Sequence, residues 1–546
     1  MIDPRAFALL LLVAVPATAN PASARSEDDP GRDELLAIHA ELADLLVPSL
    51  PANGVPDLGA DAVAARAAGI AALRVRLEAL APAGWSTDGQ IDYLLVWSRL
   101  NAADFEHRVT RPWARDPLLY LDHVRRVPFV ELPLAGDELT RWRVRLAAVP
   151  AMLEQARANL GEAAGELAGQ AIFQLESFDG VGQGEPYRDD PPAGTIGWYQ
   201  DLCARAASAL PEILPACRDA LAAVRGWRDW LRARLSSLPS SAGIGRDQLD
   251  WYLRHVRLLP YDTHDLLVLG EREYQRYRTA WEIAKNRNRA LPPLALTTSA
   301  EQHAARTHDA ERRIREIVAA QDLLTFPPDT PESFETDTFW SPRALTDRHF
   351  WEELQFRNAL DNHIHASIPG HRFDGWLQRR VENPIRRGYG DSTRAEGWAT
   401  YLEEMLVLAG ITNHEPRAEE LFWIALMKRA SRIYAETAMH AGVFSLEQAN
   451  AYLIDNVPFM EPDLGRYDLE GYLRRPGSGS GYILGKIQLE ALLAERSLAL
   501  GEQFSLGRFH DAVLSHGMIP LTLIRWSMTG DGAQVRDRWG DVLGLR

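Results

Sequence analysis

The sequence predicts a mainly α-helical protein with at most a small β element. Residues 31–235 are rich in alanine, leucine, arginine and glutamate, and their apolar residues recur at helical spacing. Clusters of proline and glycine separate these segments, and no alternating run is long enough for a major sheet. Of the 546 residues, 46% are hydrophobic and 25% are charged, as in a globular protein. A net charge of −16 argues against a nucleic-acid partner, which would favour a basic face.

The first 24 residues predict a signal peptide. Arg5 precedes the apolar run 6–15, and residues 17–19 and 22–24 both have the A-x-A form of a cleavage site. This run is too short to span a membrane, although an anchored or uncleaved helix is the alternative. We therefore expect a periplasmic or secreted protein with no membrane span after cleavage.

Two helical regions are predicted after the signal peptide, residues 25–240 and 241–546, with a soft boundary between them. Helical spacing and flanking breakers predict helices over 34–42, 71–80, 140–166, 266–288, 298–323 and 347–368. The proline-rich stretch 326–342 is expected to be extended and to supply a short strand or a lid.

The two cysteines are Cys203 and Cys217, and Pro211 and Pro215 lie between them. Their separation suits a disulfide across a turn between helices, and the two thiols of an exported protein would be oxidised to form it. Two buried thiols are the equal alternative.

Residues 363–371, H-I-H-A-S-I-P-G-H, and Glu396 offer the donors of a catalytic zinc site. Two imidazoles and one carboxylate bind the metal in such sites and leave the fourth position for water. On a regular helix the six residues from His365 to His371 would turn the two rings about 240° apart. Pro369 and Gly370 can produce a local bulge that swings His371 back. We expect His365, His371 and Glu396 to bind one zinc ion or another divalent metal, with core hydrogen bonding as the alternative.

Several motifs in this half resemble those of the bacterial domain-of-unknown-function family 885. Residues 365–371 correspond to its H-E-x-x-P-G-H segment, and 396–403 to its E-G-W-A-x-Y-x-E segment. Three later segments, R-x-x-x-D-x-x-x-H, P-G-x-x-x-x-Y-x-x-G and F-H-D-x-x-L-x-x-G-x-x-P-L, are matched at 432–440, 476–485 and 509–521, with Glu436 in place of Asp. The family is similar to helical zinc peptidases, so the resemblance implies a large multi-helix body with a central cleft.

Ala366 stands where the family has its expected general base, a glutamate. Alanine can neither accept a proton from water nor bind a metal. His363, Asp361 or a more distant carboxylate would have to replace that base, although the alternative for His363 is a polar surface residue or one that supports the site without contacting the metal. The resemblance therefore supports a metal site better than it supports peptide hydrolysis.

The remaining candidates lie downstream of the metal motif. Arg432, Glu436 and His440 are spaced four residues apart, so they share one helix face. This row could bind a substrate carboxylate, orient the site, or form ion pairs within the helix. Tyr482 follows the predicted flexible loop 476–481, and by resemblance it would donate a hydrogen bond to the developing oxyanion; packing is the alternative.

These features predict an exported metal-dependent hydrolase of the helical zinc-peptidase kind, acting on a peptide or another small amide. The catalytic candidates are Tyr482, His363, Arg432 and His440. The alternative is a catalytically altered relative, either a pseudoenzyme or a metal-retaining binding protein, because the general-base glutamate is missing. The oligomeric state cannot be derived from the sequence.

Overall fold

Helices account for the regular structure of this protein, as the abundance of helix-forming residues predicts. The computed structural model describes residues 29–46, 55–178, 186, 188, 190–334 and 350–545, and these ranges contain no β-strand. The predicted signal peptide lies outside the described residues. Of the predicted strand or lid at 326–342, residues 326–334 are irregular and the others are not described. Within the described ranges, no helix is both long enough and apolar enough to cross a bilayer.

The first half of the chain forms short and medium helices separated at proline and glycine. One predicted helix, 140–166, is two helices, because the backbone N–H groups of Glu162 and Ala164 donate to the carbonyls of Ala114 and Arg115 instead of continuing the helix. The helices of this half are α1 Arg32–Leu46, α2 Ala60–Glu78, α3 Thr87–Phe105, α4 Pro112–Arg115, α5 Pro117–Val124, α6 Gly136–Asn159, α7 Gly165–Glu176, α8 Gly194–Ala209 and α9 Leu214–Arg234.

The second half contains the longest helix, Thr263–Asn288. Asp262 caps this helix, accepting hydrogen bonds from the backbone N–H groups of His264 and Asp265. The helices of this half are α10 Arg246–His255, α11 Thr263–Asn288, α12 Ala300–Ala320, α13 Phe350–Arg357, α14 Ala359–Ala366, α15 His371–Gln378, α16 Pro384–Arg387, α17 Ser392–Leu408, α18 Ala418–His440, α19 Leu446–Asn456, α20 Pro462–Arg474, α21 Ser478–Leu500, α22 Leu506–Ser515, α23 Leu521–Thr529 and α24 Ala533–Trp539.

Cys203 and Cys217 form a disulfide between α8 and α9, with their Cα atoms 5.7 Å apart. The bond spans the turn at Pro211–Ile213. Of the two alternatives that the sequence leaves open, the structure has the bridge.

Two hydrophobic cores hold the helices together. One includes residues of α1–α3 together with residues from Leu249 to Leu543, and the other joins α5–α9 to residues from Ala435 to Leu473. Both cores therefore include residues from before and after position 240, where the sequence predicts a soft boundary.

Glycine allows α17 and α21 to cross at very short range. A Cβ atom on Gly485 would overlap the backbone carbonyl of Thr393, and one on Gly397 would overlap the backbone of Gly485. These contacts are with backbone atoms, which cannot rotate away as a side chain can. Because Gly397 follows Glu396 and Gly485 lies one turn after Tyr482, the crossing brings these two side chains towards the same region.

We expect Gly485→Ala to lower the free energy of unfolding by about 1–3 kcal/mol, because the added methyl group would force the two helices apart. Chemical denaturation of both proteins measures this change. Gly169→Ala is the matched control, since Gly169 lies inside α7 with open space around it. There alanine should be neutral or stabilising, and equal effects of the two substitutions would contradict the close crossing.

Candidate metal centre

The two histidines of the predicted metal site lie on separate helices. The predicted helix 347–368 is described from residue 350 and is interrupted at Asn358, whose side chain accepts a hydrogen bond from the N–H of Leu360 and so starts α14. His365 lies in the last turn of α14, and His371 is the first residue of α15. The expected local bulge at Pro369–Gly370 is thus a complete break between two helices.

Gly370 is needed at this break. A Cβ atom there would overlap the carbonyl oxygens of Ile364 and His365, so only glycine lets the chain pass so close to the end of α14. The indole N–H of Trp398 donates to the carbonyl of Pro369 at 3.0 Å. The turn that separates the two histidines is therefore fixed to α17, the helix that carries Glu396.

A buried ion pair fixes α15 to α17 as well. The guanidinium of Arg394 contacts both carboxylate oxygens of Asp374, at 2.5 and 3.1 Å, and both side chains are inaccessible to solvent. Backbone packing and polar contacts therefore hold α14, α15 and α17, which carry His365, His371 and Glu396, close together.

His365, His371 and Glu396 bring three ligand atoms together in a nearly equilateral triangle. The Nε2 atoms of the two histidines are 3.2 Å apart, and each lies 3.3 Å from Oε2 of Glu396. The sequence places these three residues in one metal site, and the structure brings them together.

The spacing of this triangle fits a zinc ion. Tetrahedral coordination with bonds of 2.0–2.1 Å requires ligand atoms about 3.3 Å apart. Oε2 of Glu396 is buried and makes no hydrogen bond of good geometry, so a cation would satisfy it. The three residues thus fit one divalent ion, with the fourth position of a tetrahedron left open.

The charge state of the ligands suits a metal as well. Burial acts to raise the pKa of Glu396, but the imidazoles of His365 and His371 outweigh it and hold this pKa well below its usual range. Burial and Arg429 act to lower the pKa of His365, but Glu403 and Glu396 outweigh them and raise it. Glu396 is therefore anionic at neutral pH, and His365 can exchange its proton for a cation.

Glu403 orients His365 from behind. Its Oε1 lies 2.6 Å from Nδ1 of His365, and its other oxygen accepts a hydrogen bond from Arg429 at 2.6 Å. A carboxylate on the far nitrogen of a ligating histidine fixes the ring and leaves Nε2 free for the metal. Glu403 lies two helical turns after Glu396 on the same side of α17, so both carboxylates can reach His365.

We expect Glu403→Gln to weaken zinc binding by about 10–100-fold, because the amide loses the charge that polarises His365. Competition with a coloured chelator measures the affinity. Glu495→Gln is the control, since Glu495 pairs with Arg525 outside the site. Unchanged affinity in Glu403→Gln would show that this contact does not support the metal.

A cavity of about 350 Å³ opens beside His365. Asp361 and His365 on α14, Tyr482 on α21 and Trp351 on α13 line it. The remaining wall is α18, which contributes three cationic side chains, Lys428, Arg429 and Arg432.

Asp361 is the carboxylate that faces this cavity. It lies one helical turn before His365, and its Oδ1 is buried without a hydrogen-bond partner in the described part of the chain. Burial, with the nearby charge of Glu403, raises the pKa of Asp361 to about 7. A carboxylate of this kind can take up and release a proton at neutral pH.

Tyr482 and Arg432 also line a second cavity of about 530 Å³, which extends towards α5 and α20. The ring of Tyr482 lies parallel to that of His365, with centroids 6.3 Å apart, and the guanidinium of Arg432 lies 4.9 Å from the Tyr482 ring centroid. Burial raises the pKa of Tyr482, so its hydroxyl stays a hydrogen-bond donor.

The other predicted site residues have different partners. His363 is buried, and its Nε2 lies 3.2 Å from Glu311 of α12. His440 is buried, with its Nε2 3.1 Å from the carbonyl of Tyr472, and burial lowers its pKa to about 4. Neither residue lines the cavity beside His365.

Of the predicted loop at 476–481, residues 476–477 form a turn, whereas residues 478–481 are the first turn of α21, which Glu436 stabilises. The Glu436 carboxylate accepts the backbone N–H groups of Gly479 and Ser480 at 3.2 and 2.8 Å, which caps the first turn of α21. The residues from Ser478 onward are therefore helical, despite their glycine and serine content. Arg432 pairs with Asp468 and not with Glu436, so the row 432–440 is no ion-pair row.

Lys428, Arg429 and Asp468 are site residues that sequence reasoning missed. The sequence did contain a signal for Lys428 and Arg429, because these two residues and Arg432 lie within four residues of one another on one side of α18. Asp468 comes from α20 and gave no such signal.

Residues 297–528 match the model of a family described as "Bacterial protein of unknown function (DUF885)". This range contains every motif on which the resemblance rests. No curated protein matches the chain.

Two solved structures have the same fold. A "putative lipoprotein of unknown function" from Shewanella oneidensis superposes with a TM-score of 0.66 at 18% identity, over 91% of this chain and 97% of that one. A "putative lipoprotein" from Colwellia psychrerythraea gives a TM-score of 0.66 at 14% identity, over 95% of this chain and 100% of that one. At these identities the likeness concerns the fold.

Proposed function

We propose that this chain, whose residues 297–528 match the family of unknown function, is an exported metal-dependent hydrolase of peptide or other amide bonds. The observation that carries the proposal is the triangle of His365, His371 and Glu396, with 3.2–3.3 Å between ligand atoms beside a cavity. One zinc ion, or another divalent metal, is the cofactor that these donors fit.

A divalent ion in this position would polarise an amide carbonyl and lower the pKa of a water molecule. The chain supplies the other groups that hydrolysis needs. Asp361 accepts the proton of the water and passes it to the leaving nitrogen, which replaces the base missing at Ala366. Tyr482 donates its hydroxyl hydrogen to the carbonyl oxygen as negative charge develops there.

Export is supported by three observations. The first 24 residues have the pattern of a signal peptide. Cys203 and Cys217 form a disulfide, which is typical of an oxidising compartment. Both solved structures named above carry the description "putative lipoprotein". We propose a periplasmic or secreted location.

Ala366 favours the second candidate function, a pseudoenzyme or metal-retaining binding protein. In that case the site would bind metal and substrate, but Asp361 would not act as a base. Ala366→Glu would then create amide hydrolysis in a protein that has none.

The test is hydrolysis by the zinc-loaded natural protein of a mixture of short peptides and N-acyl amino acids, with products identified by mass spectrometry. We expect cleavage that is lost in His371→Ala and kept in His264→Ala, which removes an exposed histidine far from the metal motif in sequence. Zinc binding without cleavage, together with activity in Ala366→Glu, would favour the binding protein.

A further inference from the structure

The α18 side of the cavity beside His365 carries an excess of positive charge, whereas Asp361, the carboxylate that lines the cavity, lies on α14. Lys428 and Arg432 both contact the same oxygen of Asp468, at 3.1 and 2.8 Å. Arg429 pairs with Glu403, which is already engaged with His365. Three cations thus share two carboxylates, and one of these carboxylates also orients a histidine.

This excess charge is buried. Lys428 and Arg432 are 8% and 9% exposed, so water screens their charges poorly. An uncompensated buried cation is unfavourable unless an anion joins it. The arrangement therefore favours a ligand that brings one negative charge into the cavity.

Unpartnered donors indicate where that ligand would bind. Nε of Arg432 and Nε1 of Trp351 are buried without a hydrogen-bond partner in the described part of the chain, and both residues line the cavity. Arg432 reaches Asp468 through only one of its terminal nitrogens. The unpaired Nε–H of this guanidinium can donate a charge-assisted hydrogen bond to a carboxylate oxygen.

We propose that the cavity formed by Trp351, Lys428 and Arg432 binds a carboxylate of the substrate, close to the amide bond that is cleaved. This inference rests on the proposed function and specifies its substrate class. The carboxylate is either the C-terminal one of a peptide or acyl amino acid, or an acidic side chain. Arg432 holds one of its oxygens, and the charge of Lys428 balances it.

The volume of the cavity fits this assignment. About 350 Å³ is at the lower end of the range for small-molecule sites, so it takes a short end of a substrate and not a long chain. The second cavity shares Arg432 and Tyr482 with it, and offers about 530 Å³ for the other part of the molecule.

Three ligands that differ in charge test the inference: N-acetyl-glycyl-phenylalanine, its C-terminal amide, and N-acetyl-glycyl-glutamate amidated at its C-terminus. Calorimetry measures their binding to the metal-free protein, and a separate assay measures hydrolysis by the zinc-loaded protein. We expect one of the two acids to bind at least about tenfold more tightly than the uncharged amide, since charge-assisted hydrogen bonds are lost without the carboxylate. The acid that is preferred identifies the source of the carboxylate.

Arg432→Gln should remove this preference, and Arg432→Lys should keep part of it. Arg525→Gln is the matched control, because Arg525 also pairs with a carboxylate but does not line this cavity. Thermal unfolding of each variant shows whether it is folded. Equal affinities for all three ligands, including no binding by any, would overturn the inference even if Arg432→Gln did not fold.

Failure of the proposed function would look different. If the protein binds no zinc but still prefers an acid over the amide, the result supports the carboxylate site and contradicts the proposed hydrolase. If the protein cleaves the amide and the acids equally and binds them with equal affinities, the result supports the proposed hydrolase and contradicts the carboxylate site.

Discussion

Asp361→Asn is expected to slow amide hydrolysis by about 10²–10⁴-fold, the usual effect of losing a general base. The asparagine keeps the size of the side chain but cannot accept a proton. Asp361 is not one of the three metal ligands, so the variant should bind zinc with unchanged stoichiometry. Single-turnover hydrolysis and metal analysis of the same samples measure both quantities.

His363→Ala separates the two candidate bases. Because Nε2 of His363 is held by Glu311, we expect this variant to keep a rate within about tenfold of the natural protein, well short of the loss of a base. If instead His363→Ala loses activity and Asp361→Asn does not, then His363 is the base and the role assigned to Asp361 is wrong.

Zinc is expected to stabilise the metal-free protein strongly. A ligand that binds only the folded state adds about 4 kcal/mol when its concentration exceeds the dissociation constant a thousandfold. Chelator-treated protein should therefore unfold at a clearly lower temperature than zinc-loaded protein. Calorimetric unfolding at several zinc concentrations gives both the shift and its concentration dependence.

Glu396→Gln should abolish this stabilisation together with all activity. The variant keeps the shape of the ligand but loses its charge, so its metal-free form should unfold close to the natural metal-free protein. The same zinc-dependent shift in Glu396→Gln and in the natural protein would show that the metal binds elsewhere.

The approach of His365 to His371 could be predicted from the sequence because its signal is local. The two histidines are separated by Pro369-Gly370, and these residues disturb a regular helix. The exact form of the break was not predictable, because it depends on the carbonyls of α14 and on Trp398 of α17.

The acid-base group could not be assigned from sequence alone. His363 lies two residues and Asp361 four residues before His365 in the chain, and only the tertiary structure shows that His363 faces Glu311 and that Asp361 faces the cavity. Burial of Asp361 beside Glu403 sets its pKa, and that depends on residues 42 positions away.

Local propensity gave the wrong prediction for residues 478–481. Glycine and serine favour loops, but the carboxylate of Glu436 binds the free N–H groups of the turn and makes it helical. Glycine is present there for packing, since Gly481 and Gly485 lie against α17. In the same way, the partner of Arg432 is Asp468 on another helix, which spacing within α18 cannot reveal.

The metal content of the mature natural chain, purified without chelators, tests the central claim most directly. The same measurement is made on His371→Ala, Glu396→Ala and the control His264→Ala. The predicted result is about one zinc or other divalent ion per chain in the natural protein and the control, and none in the two ligand variants. No metal in the natural protein, even after incubation with zinc, would contradict the metal centre and the hydrolase built on it.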